Sequence, residues 1–193
     1  MNKEQTSRER LLDGATQLIQ HRGFDRTSVA DILTAAEVGK GAFYHHFKDK
    51  ESLGLAVLER DRQDFMEMLD ICLNAGPTPL DGLDRFFAEA MNKHKEKRFV
   101  GGCLWGNTAL EMSDSNPVFA DFAVAVFDQW LGKIAAVVET GQQAGQIRGD
   151  CSPGELAHSV VAAVEGGIML SRLKKDETPM KECLRMIKRL LVA

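Results

Sequence analysis

Residues 27–59 read TSVADILTAAEVGKGAFYHHFKDKESLGLAVLE, and the punctuation inside this stretch decides the fold. Thr27 and Ser28 can cap a short helix over 28–36 with Val29, Ile32 and Leu33 turned inward. Gly39 marks a break at a turn or helix start, and a second short helix follows over 40–46. Phe43 and Phe47, four residues apart, share one face of it and anchor it to its own domain. Lys40, Gly41, Ala42, Tyr44, His45 and His46 are left on the outward face. Asp49 caps a long helix running to about Asn74.

The same helical signals extend in both directions. Upstream, Thr6-x-x-Glu9 is a capping box that opens a helix with Leu11, Leu12, Ala15, Leu18 and Ile19 at i, i+3, i+4, i+7 spacing, ended by Gly23. Downstream, the Gly- and Pro-rich 75–82 reads as a connection. Helices are expected near 79–97, 102–112, 117–144, 153–173 and 179–191, with Asn116-Pro117 and Ser152-Pro153-x-Glu155 as well-signed starts. No long apolar-polar alternation marks a strand. The chain is expected to be all-α with about nine helices, divided into a helix-turn-helix domain over 1–50 and a larger helical bundle over 51–193.

A chain of 193 residues with 44% hydrophobic and 27% charged content has the make-up of an ordinary globular protein. The N-terminus is charged where a signal peptide would be apolar, and no uninterrupted apolar run approaches a membrane span of about 20 residues. A cytoplasmic protein with no membrane partner is the expectation. Cys72, Cys103, Cys151 and Cys183 are scattered with no metal-ligand spacing, so neither a zinc site nor a disulfide framework is expected, nor any cofactor. The net charge of −4 argues against coating nucleic acid by bulk electrostatics. The basic groups of the first third gather instead in GKGAFYHHFKDK, residues 39–50.

Two short helices joined by a tight turn and backed by a third form the helix-turn-helix pattern, which lays its second helix in a DNA major groove about 12 Å wide. On that reading Gly41 permits close approach. Tyr44, Lys48 and Lys50 suit phosphates, and Lys40, Ala42 and His45 suit base edges. Thr27, Ser28 and Gly39, at helix starts, complete the DNA-facing set. Adjacent His45 and His46 point about 100° apart and do not face one metal ion.

Residues 27–59 resemble the N-terminal domain of the tetracycline-repressor (TetR-type) family of bacterial transcription regulators. The matching positions are Thr27, Ile32, Ala36, Val38, Lys40, Gly41, Phe43, Tyr44, His45, His46, Phe47, Lys50, Glu51 and Leu53. Glu37 stands where the family has a glycine, and Gly39 where it has a serine. The resemblance implies a homodimer, joined through the helices near 153–173 and 179–191, that binds a palindromic double-stranded operator. It also implies release when a small-molecule effector enters the C-terminal domain.

An effector pocket needs apolar walls with a few polar groups. Phe65, Met66, Leu69, Phe87, Met91, Trp105, Asn107, Met112, Phe127, Trp130 and Glu165 are the candidates, each of which also reads as ordinary packing. GGCLWGNTALEMSD, 101–114, is similar to a segment of the electrophile-sensing, N-ethylmaleimide-responsive repressors of that family. This implies a sensor role for Cys103, with Arg172 as the cation favouring its thiolate. Cys103 reads more readily as a small buried side chain. A small-molecule-binding helical enzyme or carrier is the other class considered, but no nucleophile-base pair, phosphate loop or metal motif supports it.

Overall fold

A computed structural model describes residues 5–192. Among them are nine helices: α1 Ser7–Arg22, α2 Val29–Ala36, α3 Lys40–His46, α4 Lys50–Asn74, α5 Pro79–Glu96, α6 Leu104–Met112, α7 Pro117–Gln143, α8 Pro153–Lys174 and α9 Thr178–Leu191. No strand forms among the described residues; one isolated bridge pairs Ile147 with Val192. The all-α expectation holds, and the capping chemistry explains most of the starts. Thr6, Ser28 and Ser152 each close a capping box, with Glu9, Asp31 and Glu155. Thr78 and Asn116 accept from the first-turn amides of α5 and α7. The expected helix from 102 begins two residues later. Gly101 and Gly102 adopt φ of +88° and +73°, which α-helical backbone excludes.

The chain separates into two compact units: Met1–Gln63 with Leu104–Asp121, and Asp64–Cys103 with Phe122–Ala193. A boundary at residue 50 follows the helix-turn-helix segment; compactness adds the start of α4, all of α6 and the start of α7. The reason lies in contacts 65 to 95 residues apart. The Glu111 carboxylate accepts from the amides of Phe24 and Asp25, both at 2.9 Å, and Asn116 donates to Glu51 at 2.8 Å. The Phe119 and Phe24 rings pack with centroids 4.6 Å apart.

In this first unit Leu11, Leu12, Ala15 and Ile19 of α1, Ile32 and Ala36 of α2 and Phe43 of α3 are buried in one core. A Cβ on Gly14 would sit 3.2 Å from the Ala36 amide nitrogen, so α1 and α2 approach closely there. α2 ends at Glu37 in the left-handed region, φ +53° and ψ +44°. This is a conformation that suits glycine and strains a residue with a Cβ.

The second unit is centred on rings. Phe65 and Phe86 meet Trp130 edge-on at 5.0 and 6.0 Å, and Phe127 stacks on it at 5.9 Å. By length and composition α8 would pass as a membrane span. Leu156, Val160, Val164 and Ile168 on it are buried within the unit, as in a core helix. It packs tightly on α9: Gly167 leaves only 3.1 Å between a would-be Cβ and the Met180 Cα. The Ser171 hydroxyl accepts from the Met180 amide at 2.9 Å. His94 of α5 is buried, and burial, with Lys93 and Lys97 nearby, pushes its pKa down to about 4.

Two outcomes follow from these positions. Replacing Glu37 with glycine should raise stability by about 0.5–1 kcal/mol in urea denaturation, the relieved strain outweighing the added freedom of the unfolded chain. His94 takes up a proton more readily in the unfolded chain, at its ordinary 6.5, than in the folded one. Its contribution is therefore complete above pH 6.5 and is lost as pH falls toward 4, by up to about 3 kcal/mol. His94→Leu should flatten this part of the stability profile.

Candidate functional site

α3 is pinned from behind. Phe43 and Phe47 are buried with ring centroids 6.0 Å apart, the Arg8 guanidinium lies 5.6 Å from the Phe47 ring centre, and Ser7 Oγ is hydrogen-bonded to His46 Nε2 at 2.8 Å. His46 is thus turned toward α1 rather than outward. Its neighbour His45 stays exposed.

The opposite face is open. Lys40, Gly41, Tyr44, His45 and Lys48 are exposed and Ala42 is half-buried. Tyr44 keeps 54% of its surface in solvent, with the Lys40 ammonium 5.8 Å from its ring centre. Gly39 starts the helix with extended backbone and no side-chain cap. A Cβ on Gly39 or Gly41 would meet nothing within 4 Å. No internal contact demands glycine at either place.

Three of the predicted DNA-facing residues sit differently. Thr27 is fully buried and its hydroxyl donates to the Gly23 carbonyl at 2.7 Å. It closes the turn before α2 and does not present its hydroxyl to solvent. Lys50 is half-buried; its ammonium donates to the Phe24 carbonyl at 3.1 Å and lies 4.2 Å from the Phe24 ring centre. That charge ties the start of α4 to the turn after α1. Ser28 is exposed, but its hydroxyl is engaged with Asp31 at 2.7 Å. Hydrogen bonds from Ser28, ahead of the nearby Arg22, hold the Asp31 carboxyl below its ordinary pKa.

The sequence reading missed Glu111 and Ser7. Neither carries a local signal, since each acts on a partner tens of residues away.

The effector candidates divide between the two units. Trp105, Asn107 and Met112 belong to the first, where Trp105 and Met112 are core. In the second, Phe65, Phe127 and Trp130 form the ring cluster, beside buried Met66 and Leu69 of α4. The Trp130 indole N–H is buried without an acceptor among the described residues. Phe87 and Met91 line a surface groove beside α9.

Cys103 is a half-buried thiol outside any disulfide. The Glu165 carboxyl lies close to it, and its interaction with the thiol partly offsets the effect of burial on that carboxyl. Burial pushes that carboxyl above its ordinary pKa, and Oε1 makes no hydrogen bond among the described residues. Arg172, the expected cation, lies on α8 two turns beyond Glu165 and is half-buried.

Residues 11–57 match the family described as bacterial regulatory proteins, tetR family, and residues 79–187, more than half of the chain, match the tetracyclin repressor-like C-terminal domain. The HTH-type transcriptional repressor DhaR of a Mycobacterium species is 32% identical across 93% of this chain and 89% of its own length. The HTH-type transcriptional repressor NemR of Escherichia coli is 27% identical across 99% and 98%. A crystal structure of regulatory protein TetR from Rhodobacter sphaeroides superposes with a TM-score of 0.91 at 28% identity, covering 96% of this chain and 99% of the other.

The internal roles of Thr27 and Lys50 separate them from the exposed set in a stability measurement. Thr27→Val leaves the Gly23 carbonyl without its donor and should cost about 1–3 kcal/mol. Lys50→Met should also lower the melting midpoint, whereas Tyr44→Ala and Lys48→Ala should stay within about 0.5 kcal/mol of the unsubstituted chain.

Proposed function

The chain belongs to the TetR family of bacterial transcription regulators, which control transcription and are not enzymes, and we propose that it is a homodimeric, effector-responsive repressor acting on a palindromic operator in the bacterial cytoplasm. One observation carries this reading: α3 is anchored by two buried phenylalanines and keeps Lys40, Gly41, Tyr44 and His45 free on its other side. Lys40, Ala42 and His45 meet base edges in the major groove, Tyr44 and Lys48 meet phosphates, and the bare backbone at Gly39 and Gly41 allows close approach. The helix-turn-helix segment within 1–50 is the DNA-binding domain and 51–193 the ligand-binding and dimerisation domain.

Dimerisation is supported by the outward faces of α8 and α9. Met169, Leu170 and Leu173 on α8 are exposed, Leu173 to 78%, as are Met186 and Leu190 on α9. Gly166 opens onto free space on the same face of α8. An apolar surface of this kind, repeated by a two-fold axis, makes an isologous interface, and the two half-sites of a palindromic operator lie about 34 Å apart, one DNA turn.

The effector is a small apolar or electrophilic molecule. The ring cluster and the unsatisfied Trp130 N–H suit an apolar ligand with one acceptor atom. The Cys103–Glu165 pair suits an electrophile: sulfur forms the new bond and Glu165, when ionised, takes the thiol proton. The resemblance also implies Arg172 as the cation that favours the thiolate. Chain continuity joins this pair to DNA binding, because Cys103 directly precedes α6 and α6 carries Glu111, which holds the turn ahead of α2.

The test begins with duplexes selected from a random pool. A two-fold-symmetric site should emerge, and Tyr44→Ala should weaken binding to it. Lys48→Ala should lower the slope of log affinity against log salt by about 1, and Leu173→Glu should yield a monomer with reduced affinity. Sequence-independent binding, or full affinity in both Tyr44→Ala and Lys48→Ala, sinks the operator reading. N-ethylmaleimide should add to Cys103 and release the operator, and Cys103→Ala should resist release. An adduct that leaves operator binding intact removes the electrophilic arm.

A further inference from the structure

We propose that the groove between α5 and α9 binds a small amphipathic anion: an alkyl chain laid on its floor with a carboxylate at its rim. The groove, about 390 Å³, lies within the second unit, at the lower end of the 300–1,000 Å³ typical of small-molecule sites. Its floor is apolar, made by Phe87, Ala88 and Met91 of α5 and Leu184 of α9. Its α9 rim is cationic: Lys181, Arg185 and Lys188 at i, i+4 and i+7 all line it.

The charges on that rim are not balanced. Asp84, the acidic residue of the lining, is paired with Lys188. The side chains of Lys181 and Arg185 carry no hydrogen bond or ion pair among the described residues, and both are exposed; Lys181 acts at longer range on Glu177, one turn earlier, which is itself paired with Lys95. An alkyl chain on the floor would thus end beside two cations without direct partners. α9 concentrates these cations on one flank; its inward face is Met180, Leu184, Ile187 and Leu191, and its other exposed flank holds Met186 and Leu190. A surface helix that merely needed solubility has no reason to border an apolar groove with cations alone. An uncharged alkyl ligand would leave that rim unused, and a short inorganic anion would leave the floor exposed.

The inference does not depend on the operator reading, and its readout involves no DNA. Calorimetric titration of the full chain with decanoate, below its micelle-forming concentration, should give saturable one-to-one binding that weakens as salt is raised. Each methylene removed from the ligand should lower affinity about two- to four-fold. Lys181→Gln with Arg185→Gln should weaken binding about ten-fold, and Ala88→Trp should block it by filling the floor. These positions are exposed, so an unchanged melting midpoint verifies that each variant is folded. Absence of decanoate binding, equal affinity for decanol, or undiminished binding in either variant overturns the proposal.

Discussion

A helix of seven residues is too short to persist by its own hydrogen bonds, so α3 exists only because the first unit holds it. Phe43 and Phe47 supply that hold from one side of the helix, and the hydrogen bond between Ser7 and His46 fixes its rotation. Everything proposed about DNA recognition depends on this constraint, because a face can be presented in a fixed direction only if the opposite face is immobilised. The turn leading into α2 is secured in the same spirit. Gly23, Phe24 and Asp25 accept or donate to Thr27, Lys50 and Glu111, three side chains from three parts of the chain converging on one corner.

That corner explains why the compact unit is larger than the motif it contains. A carboxylate receiving two backbone amides is a charge-assisted pair of bonds, and it brings α6 into the unit that holds α3. The family's usual glycine at the end of α2 is absent, and Glu37 occupies a left-handed conformation instead. The surrounding packing of α1, α2 and α3 sustains that strained residue.

The second unit uses its last two helices on three sides at once. α8 and α9 bury one another through Gly167, Ser171 and Met180. Their outward faces remain apolar, and the far flank of α9 turns cationic against α5. Helical geometry makes this division possible, since residues three, four and seven apart share a face while intervening positions serve others. One amphipathic helix thereby serves a core, an apolar surface and a charged rim.

Much of this was legible in the residues themselves. Capping boxes at Thr6 and Ser152, a capping residue at Thr27 or Ser28, prolines at helix starts and the Phe43/Phe47 spacing identify the helices and the anchored face of α3, because these signals act over three or four residues. Distance in sequence hid the rest. Thr27 and Lys50 carry the same residue types as surface contacts would, and only the fold reveals that a carbonyl 4 or 26 residues back takes their hydrogens. Cys103 could be singled out from its segment, yet its acidic partner Glu165 comes from a helix 62 positions on. The amino-acid order by itself determined which segments are helical and which face of each is apolar, since those follow from local sterics and periodicity. Tertiary structure alone decided which polar groups were consumed inside and which remained free to bind, because a hydrogen bond is allotted by proximity in space.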